Sequence, residues 1–291
     1  MITAHVKSSD FIDLDHLNAR RLMLPLNDGF QVALVGCGGT GSWLAPHLVR
    51  LARLLIESTG VQMDLRFIDP DTVEAANCYR QNFCEAEIGQ NKAQTLARRY
   101  GTAWGVDVRP VPALFSEAAI ATGASASIRR LIIGCVDNAA GRRAIKKATH
   151  SSTWWMDCGN HHSAGQVLLG VGGQRPDDPW RLPGLCSWLP LPSMQHPELL
   201  EDEATYPQPL PEGRGVDNLS CAEAALAGVQ GLTVNATVAA LAADLLYRLL
   251  ITKDLTRFAV YVDLESGATR SRFVTPAEVL AAGHGMEKEH K

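Results

Sequence analysis

The sequence predicts an α/β protein built on a Rossmann-like, doubly wound and mostly parallel sheet. Short apolar runs alternate with helical stretches up to about residue 175, as they do in βαβ units. A glycine-rich turn follows the apolar run 32–35 and precedes a helical stretch, an arrangement that lets backbone N–H groups approach a phosphate. Acidic residues follow two later apolar runs, and the carboxyl ends of parallel strands meet at one edge of a sheet. These three observations together predict a nucleotide-binding sheet.

The composition is that of an ordinary globular protein and limits the classes of partner. The 291 residues suffice for one large domain or for a domain with an elaboration. A net charge of −4 offers no general attraction to nucleic acid or to an anionic membrane, so any affinity for phosphate must be local. The polar N-terminus lacks the apolar core of a signal peptide. The seven cysteines include no C-x-x-C pair, which favours the reducing cytoplasm.

Alternating patterns place the individual elements. We expect strands at 31–35, 63–68, 107–111, 131–134, 153–157 and 165–171, and helices at 42–57, 92–100, 116–120 and 139–149. Helix resumes from 220 to about 251, with a break near Gly228 and Gly231. The runs 258–264 and 268–274 flank a short turn and predict a hairpin that extends the sheet in antiparallel fashion. A short final helix follows from 275.

The chain divides into four predicted parts. These are an N-terminal segment (1–29), a Rossmann-like nucleotide-binding core (30–175), a proline-rich crossover loop (176–219), and a C-terminal part (220–291) that packs with the core. Residues 176–211 carry nine of the fifteen prolines, and such a segment is too long for an ordinary connection.

An apolar stretch at 232–251 has the length of a membrane span. It contains Asn235, Asp244 and Arg248, which makes a buried or dimer-facing helix the better interpretation.

Four glycines of the first turn are candidate phosphate-binding positions: Gly36, Gly38, Gly39 and Gly41. A glycine turn of this kind is a weak signal by itself, because a tight turn without a ligand has the same pattern. In NAD-binding folds, an acidic residue that binds the ribose typically follows the glycine turn by about 20 residues. Asp69 lies beyond that spacing, and NAD binding gives no reason for Arg80 or Lys92.

Charged residues after the next strands suit a nucleoside triphosphate and Mg²⁺. Asp69 and Asp71 end a strand, where a carboxylate can hold ribose hydroxyls, although a solvated turn has the same sequence. Arg80 and Lys92 can neutralise phosphates, and Lys92 opens a helix where a bound anion would offset the dipole. Asp137 also ends a strand, so it can hold Mg²⁺ or serve as a helix N-cap.

The motifs occur in a family-specific order. They are Gly-x-Gly-Gly-x-Gly, Asp-x-Asp, Asn-x-x-Arg-Gln, Ile-Gly-x-x-Lys and Cys-x-Asp-Asn. This series, over roughly residues 30 to 275, resembles the ThiF-type adenylating superfamily, which includes the enzymes that activate ubiquitin and the bacterial sulfur carriers. The short N-terminus and the segment 220–223 look like the ThiF-like proteins of PRTRC-type plasmid systems.

The resemblance implies a function and a set of site residues. It implies ATP-dependent adenylation of the C-terminal carboxylate of a ubiquitin-like, β-grasp protein by a homodimer. The implied ATP-binding residues are Gly36, Gly38, Gly39, Gly41, Asp69, Asp71, Asn77, Arg80, Gln81, Lys92, Asp137 and Asn138, with Asp137 on Mg²⁺ and Arg80 and Lys92 as catalytic cations. The family often adds an arginine finger from the partner subunit, for which Arg20 or Arg21 is available, although neither lies in a clear motif.

Cys221 is the candidate nucleophile of a second step. Ser220 and Glu223 have capping-box spacing, which places the thiol in the first turn of a helix, where its pKa is lowered. The resemblance implies that it accepts the carrier as a thioester, whereas a small buried helix residue is the structural alternative. Family members with structural zinc carry paired cysteines here. Because this chain lacks them, we expect no structural zinc.

Three other functions remain open. The first is adenylation of a different acceptor, either a tRNA base or a peptide, although the net charge argues against RNA. The second is a catalytically silent scaffold that binds nucleotide, a function that the retention of Arg80, Lys92 and Asp137 disfavours. The third is an NAD-dependent oxidoreductase, for which no proton donor stands out.

Overall fold

The computed structural model describes residues 14–22, 24, 30–121, 129–202 and 231–283. Its main sheet has eight strands in the order β10-β9-β7-β6-β5-β2-β3-β4. The strands are β2 (Phe30–Val35), β3 (Met63–Ile68), β4 (Val108–Val111), β5 (Arg129–Gly134), β6 (Thr153–Asn160), β7 (Ala164–Val171), β9 (Arg257–Asp263) and β10 (Ala268–Phe273). Strands β4, β3, β2, β5 and β6 are parallel, and β7, β9 and β10 continue the sheet in antiparallel fashion. The predicted fold class is confirmed.

Helices cover both faces of the sheet. The α-helices are α1 (Leu14–Asn18), α2 (Gly39–Thr59), α3 (Lys92–Trp104), α4 (Ala139–Ala148), α5 (Pro192–Gln195), α6 (Val234–Tyr247) and α7 (Pro276–Gly283). A π-helical turn, Arg248–Thr252, continues α6. Short 3₁₀ helices span Ala75–Tyr79, Glu85–Glu87, Glu117–Ile120 and Pro197–Leu200. The helix expected at 116–120 is therefore a single 3₁₀ turn.

The first βα unit shows why this sequence folds as predicted. All six residues of β2 are buried, because parallel neighbours lie on both sides and helices cover both faces. Helix α2 begins at Gly39 and ends at Thr59, and Gly60 caps it with φ 73° by donating its N–H to the Ile56 carbonyl. Gly36 adopts φ 87° beside β5, where a Cβ atom would lie 2.6 Å from the Cys135 carbonyl oxygen. Only glycine fits this approach of the two strand ends.

Helix α6 belongs to the core of the chain. It packs against α2, β6 and β7, and its residues Val238, Ala242 and Leu245 are fully buried. By length and composition alone, Val234–Thr252 would pass as a membrane span, and half of it is buried inside the chain. The interpretation of this stretch as a buried helix therefore holds for the half that packs inside the chain. Of the predicted break near Gly228 and Gly231, Gly231 is not helical and α6 begins at Val234, whereas Gly228 lies outside the described residues.

The proline-rich segment contains more regular structure than the sequence indicates. Strand β8 (Leu185–Cys186) pairs in parallel with β1 (Arg21–Leu22) and forms a separate two-stranded sheet. Helix α5 and the 3₁₀ turn Pro197–Leu200 follow before residue 202. Prolines open both of these helices, a position where their missing N–H removes no hydrogen bond. The four-part division of the chain stays a prediction.

We predict that Gly41→Ala destabilises the protein far more than Gly60→Ala. A Cβ atom at Gly41 would lie 1.9 Å from the Gly36 carbonyl oxygen, so backbone must move, at about 3 kcal/mol. At Gly60 no atom of the described residues, apart from its two chain neighbours, lies within 4 Å of an added Cβ atom, which leaves only the strain of a left-handed residue, about 1 kcal/mol. Urea unfolding of the two variants checks this, and equal losses of stability would contradict it.

Candidate active site

One large cleft lies over the carboxyl ends of the parallel strands. It encloses about 1400 Å³ and extends from the glycine turn to strands β9 and β10. It exceeds the roughly 300–1,000 Å³ of a typical small-molecule pocket. The predicted ATP-binding residues that line it are Gly36, Gly38, Gly39, Asp69, Asp71, Asn77, Arg80, Gln81, Lys92, Asp137 and Asn138. Gly41 does not line it and supports the turn from behind.

The carboxylate of Asp69 holds the glycine turn. One oxygen accepts the Cys37 N–H at 2.6 Å, and the other accepts the Asp71 N–H at 2.8 Å. Asp69 is 5% exposed, and burial raises the pKa of this carboxyl although the two N–H donors oppose the rise. Each carboxylate oxygen keeps a further lone pair that can accept a ligand hydroxyl.

Lys92 is held at the start of α3 by Asp71. Its Nζ lies 3.3 Å from Asp71 Oδ2, and its side chain is 9% exposed whereas that of Asp71 is 65% exposed. Its N–H also donates to the Asp71 carbonyl, while Asn91 caps the helix by accepting the Gln94 N–H at 3.0 Å. A carboxylate of this chain therefore already offsets part of the repulsion between the lysine and the helix dipole.

The segment 74–81 presents Arg80 and Gln81 from a tightly bonded turn. The Asn77 side chain accepts the Glu74 N–H, and the Asn77 carbonyl accepts the N–H groups of Arg80 and Gln81. The amide oxygen of Gln81 is buried and has no hydrogen-bond partner within the described part of the chain. An unsatisfied acceptor of this kind in a cleft wall fits a ligand donor.

Asp137 and Asn138 lie where β5 meets α4. The Asn138 side chain caps α4 by accepting the Gly141 N–H at 2.8 Å, so the N-cap is Asn138 rather than Asp137. Within the described part of the chain, the exposed Asp137 carboxylate accepts one hydrogen bond, from the Asn138 amide to Oδ1 at 3.1 Å. It fits Mg²⁺, because Mg²⁺ in proteins is commonly held by one or two carboxylates together with substrate phosphates.

The remaining predicted residues lie away from this cleft or outside the described residues. Arg20 stacks over the Trp180 ring and donates to the Trp180 carbonyl, and Arg21 is exposed on β1. Neither lines the cleft of its own chain, so an arginine finger supplied to a partner subunit stays a prediction. Cys221 and the capping box around it lie outside the described residues.

Asn235, a fully buried residue at the start of α6, has a position in the site that the sequence did not predict. Its Oδ1 accepts from Asn160 Nδ2 at 2.5 Å and from Thr40 Oγ1 at 3.3 Å, and its Nδ2 donates to the Arg80 carbonyl at 3.3 Å. A Cβ atom on Gly39 would lie 2.5 Å from Asn235 Oδ1, so the amide occupies the space that this glycine leaves. The asparagine side chain thus connects α6 by hydrogen bonds to Thr40 of the glycine turn and to Arg80 of the segment 74–81. In the sequence, the only indication of this role is that an asparagine interrupts an otherwise apolar helical stretch.

A buried ion pair, also missed from the sequence, lies under the cleft. Arg142 Nε donates to Asp157 Oδ1 at 3.1 Å, and Asp157 is fully buried on β6. Its second oxygen has no partner among the described residues. Burial raises the pKa of Asp157 to about 6, against the opposing effect of Arg142. Desolvation therefore outweighs the attraction to the guanidinium group.

Tyr261 lines the far end of the cleft and belongs to a hydrogen-bonded chain of three side chains, of which His196 and Glu198 lie outside the cleft lining. His196 Nε2 lies 2.7 Å from the Tyr261 hydroxyl, and His196 Nδ1 lies 2.8 Å from Glu198 Oε1. Burial raises the pKa of Tyr261, although Arg272 and Arg270 lie close enough to oppose this. The phenol is thus held in one orientation at the cleft wall.

Comparison with known proteins identifies the family. The chain belongs to the ThiF family, whose profile matches residues 23–278. Over 166 residues it is 30% identical to ubiquitin-like modifier-activating enzyme 5 of Arabidopsis thaliana, which covers 50% of this chain and 36% of that protein. The placement among PRTRC-type proteins stays a prediction.

Solved structures share the fold at low sequence identity. Escherichia coli MccB with ATP has a TM-score of 0.52 and 15% identity, covering 89% of this chain and 65% of that chain. MccB with AMPCPP and MccA has a TM-score of 0.53 and 15% identity, covering 84% of this chain and 63% of that chain. The chain thus spans less than two thirds of the length of these relatives.

We predict that Asn235→Ala lowers the free energy of unfolding by about 2 kcal/mol, because it leaves buried hydrogen-bonding groups without partners. Thr237→Ala, which removes one local bond on the same helix, serves as the control and is expected to change stability by about 0.5 kcal/mol at most. Urea unfolding measures both. Indistinguishable losses would show that the asparagine does not anchor the turn.

A second prediction concerns pH and Asp157. In the folded protein the Asp157 carboxyl keeps its proton up to about pH 6, whereas in the unfolded chain it loses the proton near its ordinary pKa of 3.8. The folded state therefore binds more protons than the unfolded state between pH 3.8 and pH 6. Stability therefore falls as pH rises from 4 to 6, by about 2 kcal/mol relative to Asp157→Asn, which does not titrate. Urea unfolding of both proteins at pH 4, 5, 6 and 7 gives this difference. A difference that stays constant with pH would contradict the buried, protonated carboxyl.

Proposed function

We propose that this protein catalyses ATP-dependent adenylation of the C-terminal carboxylate of a small ubiquitin-like protein. One observation carries the proposal: the glycine turn, two cations and the strand-end acids of the family motif line a single cleft. The similarity of half the chain to a ubiquitin-like modifier-activating enzyme supports this class of substrate. The cytoplasm and a homodimer are the setting that the sequence analysis favours.

ATP would bind along the carboxyl edge of the sheet. The N–H groups of the glycine turn and the start of α2 face the phosphates, and Asp69 holds ribose hydroxyls. Arg80 and Lys92 supply positive charge, with Lys92 held ready by Asp71. Gln81 offers its unsatisfied amide oxygen to a ligand donor. Mg²⁺, when bound at Asp137, would neutralise charge on the triphosphate.

The reaction places two anions next to each other. A carboxylate oxygen of the substrate attacks the α-phosphorus of ATP, the bond to the β-phosphate oxygen breaks, and pyrophosphate leaves with the bonding electrons. Fixed cations lower the activation barrier because they already lie beside the phosphate oxygens on which negative charge develops in the transition state. In a second step we propose that the Cys221 thiolate attacks the acyl carbon and that AMP leaves. The predicted position of Cys221 in the first turn of a helix supports this step, because a helix N-terminus lowers the pKa of a thiol.

We predict that ATP–pyrophosphate exchange, driven by ubiquitin-like proteins from neighbouring genes, falls at least about 100-fold in Asp137→Ala and in Lys92→Ala. Lys92→Ala removes a positive charge that would contact the phosphates, and Asp137→Ala removes the carboxylate that would hold Mg²⁺ on them. Arg53→Ala is the matched control, because Arg53 pairs with Glu57 on the exposed side of α2 outside the cleft. Full exchange in Lys92→Ala would contradict the proposed phosphate contact.

Cys221→Ala separates the two steps. We expect it to retain exchange and to lose a thiol-sensitive adduct with the carrier. Exchange driven by short peptides or by tRNA, but by no carrier, would favour the alternative acceptors. ATP binding without exchange would favour the scaffold.

A further inference from the structure

A row of residues crosses the antiparallel half of the sheet along the cleft. Strand pairing places Gly159 opposite Gln166, Gln166 opposite Tyr261, and Tyr261 opposite Arg270. Directly paired residues on neighbouring strands lie on the same face of a sheet. All four residues line the cleft, so the row forms a continuous wall of it from β6 to the edge strand β10.

The near end of this row lies beside the proposed adenylation site. A Cβ atom on Gly159 would lie 3.3 Å from Arg142 Nη2, and Arg142 belongs to the same helix that Asn138 caps. The absence of a side chain at Gly159 leaves the row open at this end. The far end is Arg270, three strand spacings away.

The length of the row sets the number of residues that it can hold. Strands lie about 4.8 Å apart, so Gly159 and Arg270 are separated by roughly 14 Å. An extended peptide advances about 3.3 Å per residue, which corresponds to about four residues. The cleft volume of about 1400 Å³ leaves room for such a segment beside a nucleotide.

The far end of the row is positively charged. Arg270 is exposed and forms no ion pair within the described part of the chain, whereas Arg272 on the same strand pairs with Glu278 at 2.7 Å. Asp263, the acid at the end of β9 on this hairpin, already accepts from Ser266 Oγ and from the Glu265 N–H. Tyr261, held by His196, adds a neutral hydroxyl beside the guanidinium group.

We propose that this row binds the C-terminal tail of the substrate and that Arg270 selects an acidic side chain about four residues before the terminal residue. The proposal deepens the proposed function and rests on it. An Arg–carboxylate contact at an exposed site corresponds to a preference of about five-fold.

Hexapeptide pools with a free carboxylate test the proposal. One pool carries Glu, and a second carries Lys, four residues before the terminal residue, with all other positions mixed. We expect the wild type to support about five-fold more ATP–pyrophosphate exchange with the Glu pool and Arg270→Glu to reverse the preference. Arg109→Glu is the matched control on the opposite edge strand, outside the cleft, and keeps the wild-type preference.

The outcomes separate this inference from the proposed function. Exchange without a charge preference, or a preference that persists in Arg270→Glu, would overturn the subsite and leave adenylation intact. If no pool supports exchange, fluorescence anisotropy of labelled Glu and Lys pools decides the inference separately. Tighter binding of the Glu pool that Arg270→Glu reverses would support the subsite, whereas equal or absent binding would overturn it.

Discussion

The cleft depends on the close approach of three strand ends around Gly36. Its N–H donates to the Ile68 carbonyl of β3, and the Cys135 N–H at the end of β5 donates to Val35 of β2. The approach is possible because Gly36 has no Cβ and adopts φ 87°. Asp69 then closes the turn by accepting the Cys37 N–H. These contacts determine where α2 begins and which N–H groups face the cleft.

The charged groups around this turn are held before any ligand binds. Lys92 is paired with Asp71, and Arg142 is paired with the buried Asp157. In a partly buried cleft such charges interact more strongly than in water, and fixed positions reduce the reorganisation that a reaction requires. The large cleft also extends well past these charges, which is why a second component beside the nucleotide is the natural interpretation.

The sequence predicts the parallel half of this arrangement well because each motif follows its own strand. Parallel strands bring all their carboxyl ends to one edge, so Asp69 and Asp137 had to lie near the glycine turn once the strands were placed. Asn235 could not be assigned in this way. Its partner Thr40 is 195 residues away along the chain, and a lone polar residue in an apolar helix does not reveal which turn it meets.

By itself, the sequence determined the fold class, the glycine turn and the set of charged groups at the strand ends, since these follow from local patterns and the geometry of parallel strands. Only the tertiary structure decided that Asp71 holds Lys92, that Asp157 is buried beneath Arg142, and that Gly159 and Arg270 end one row. These features depend on strand register and on which face each side chain occupies. A shift of one residue moves every side chain of a strand to the other face, and local sequence does not specify that register between distant segments.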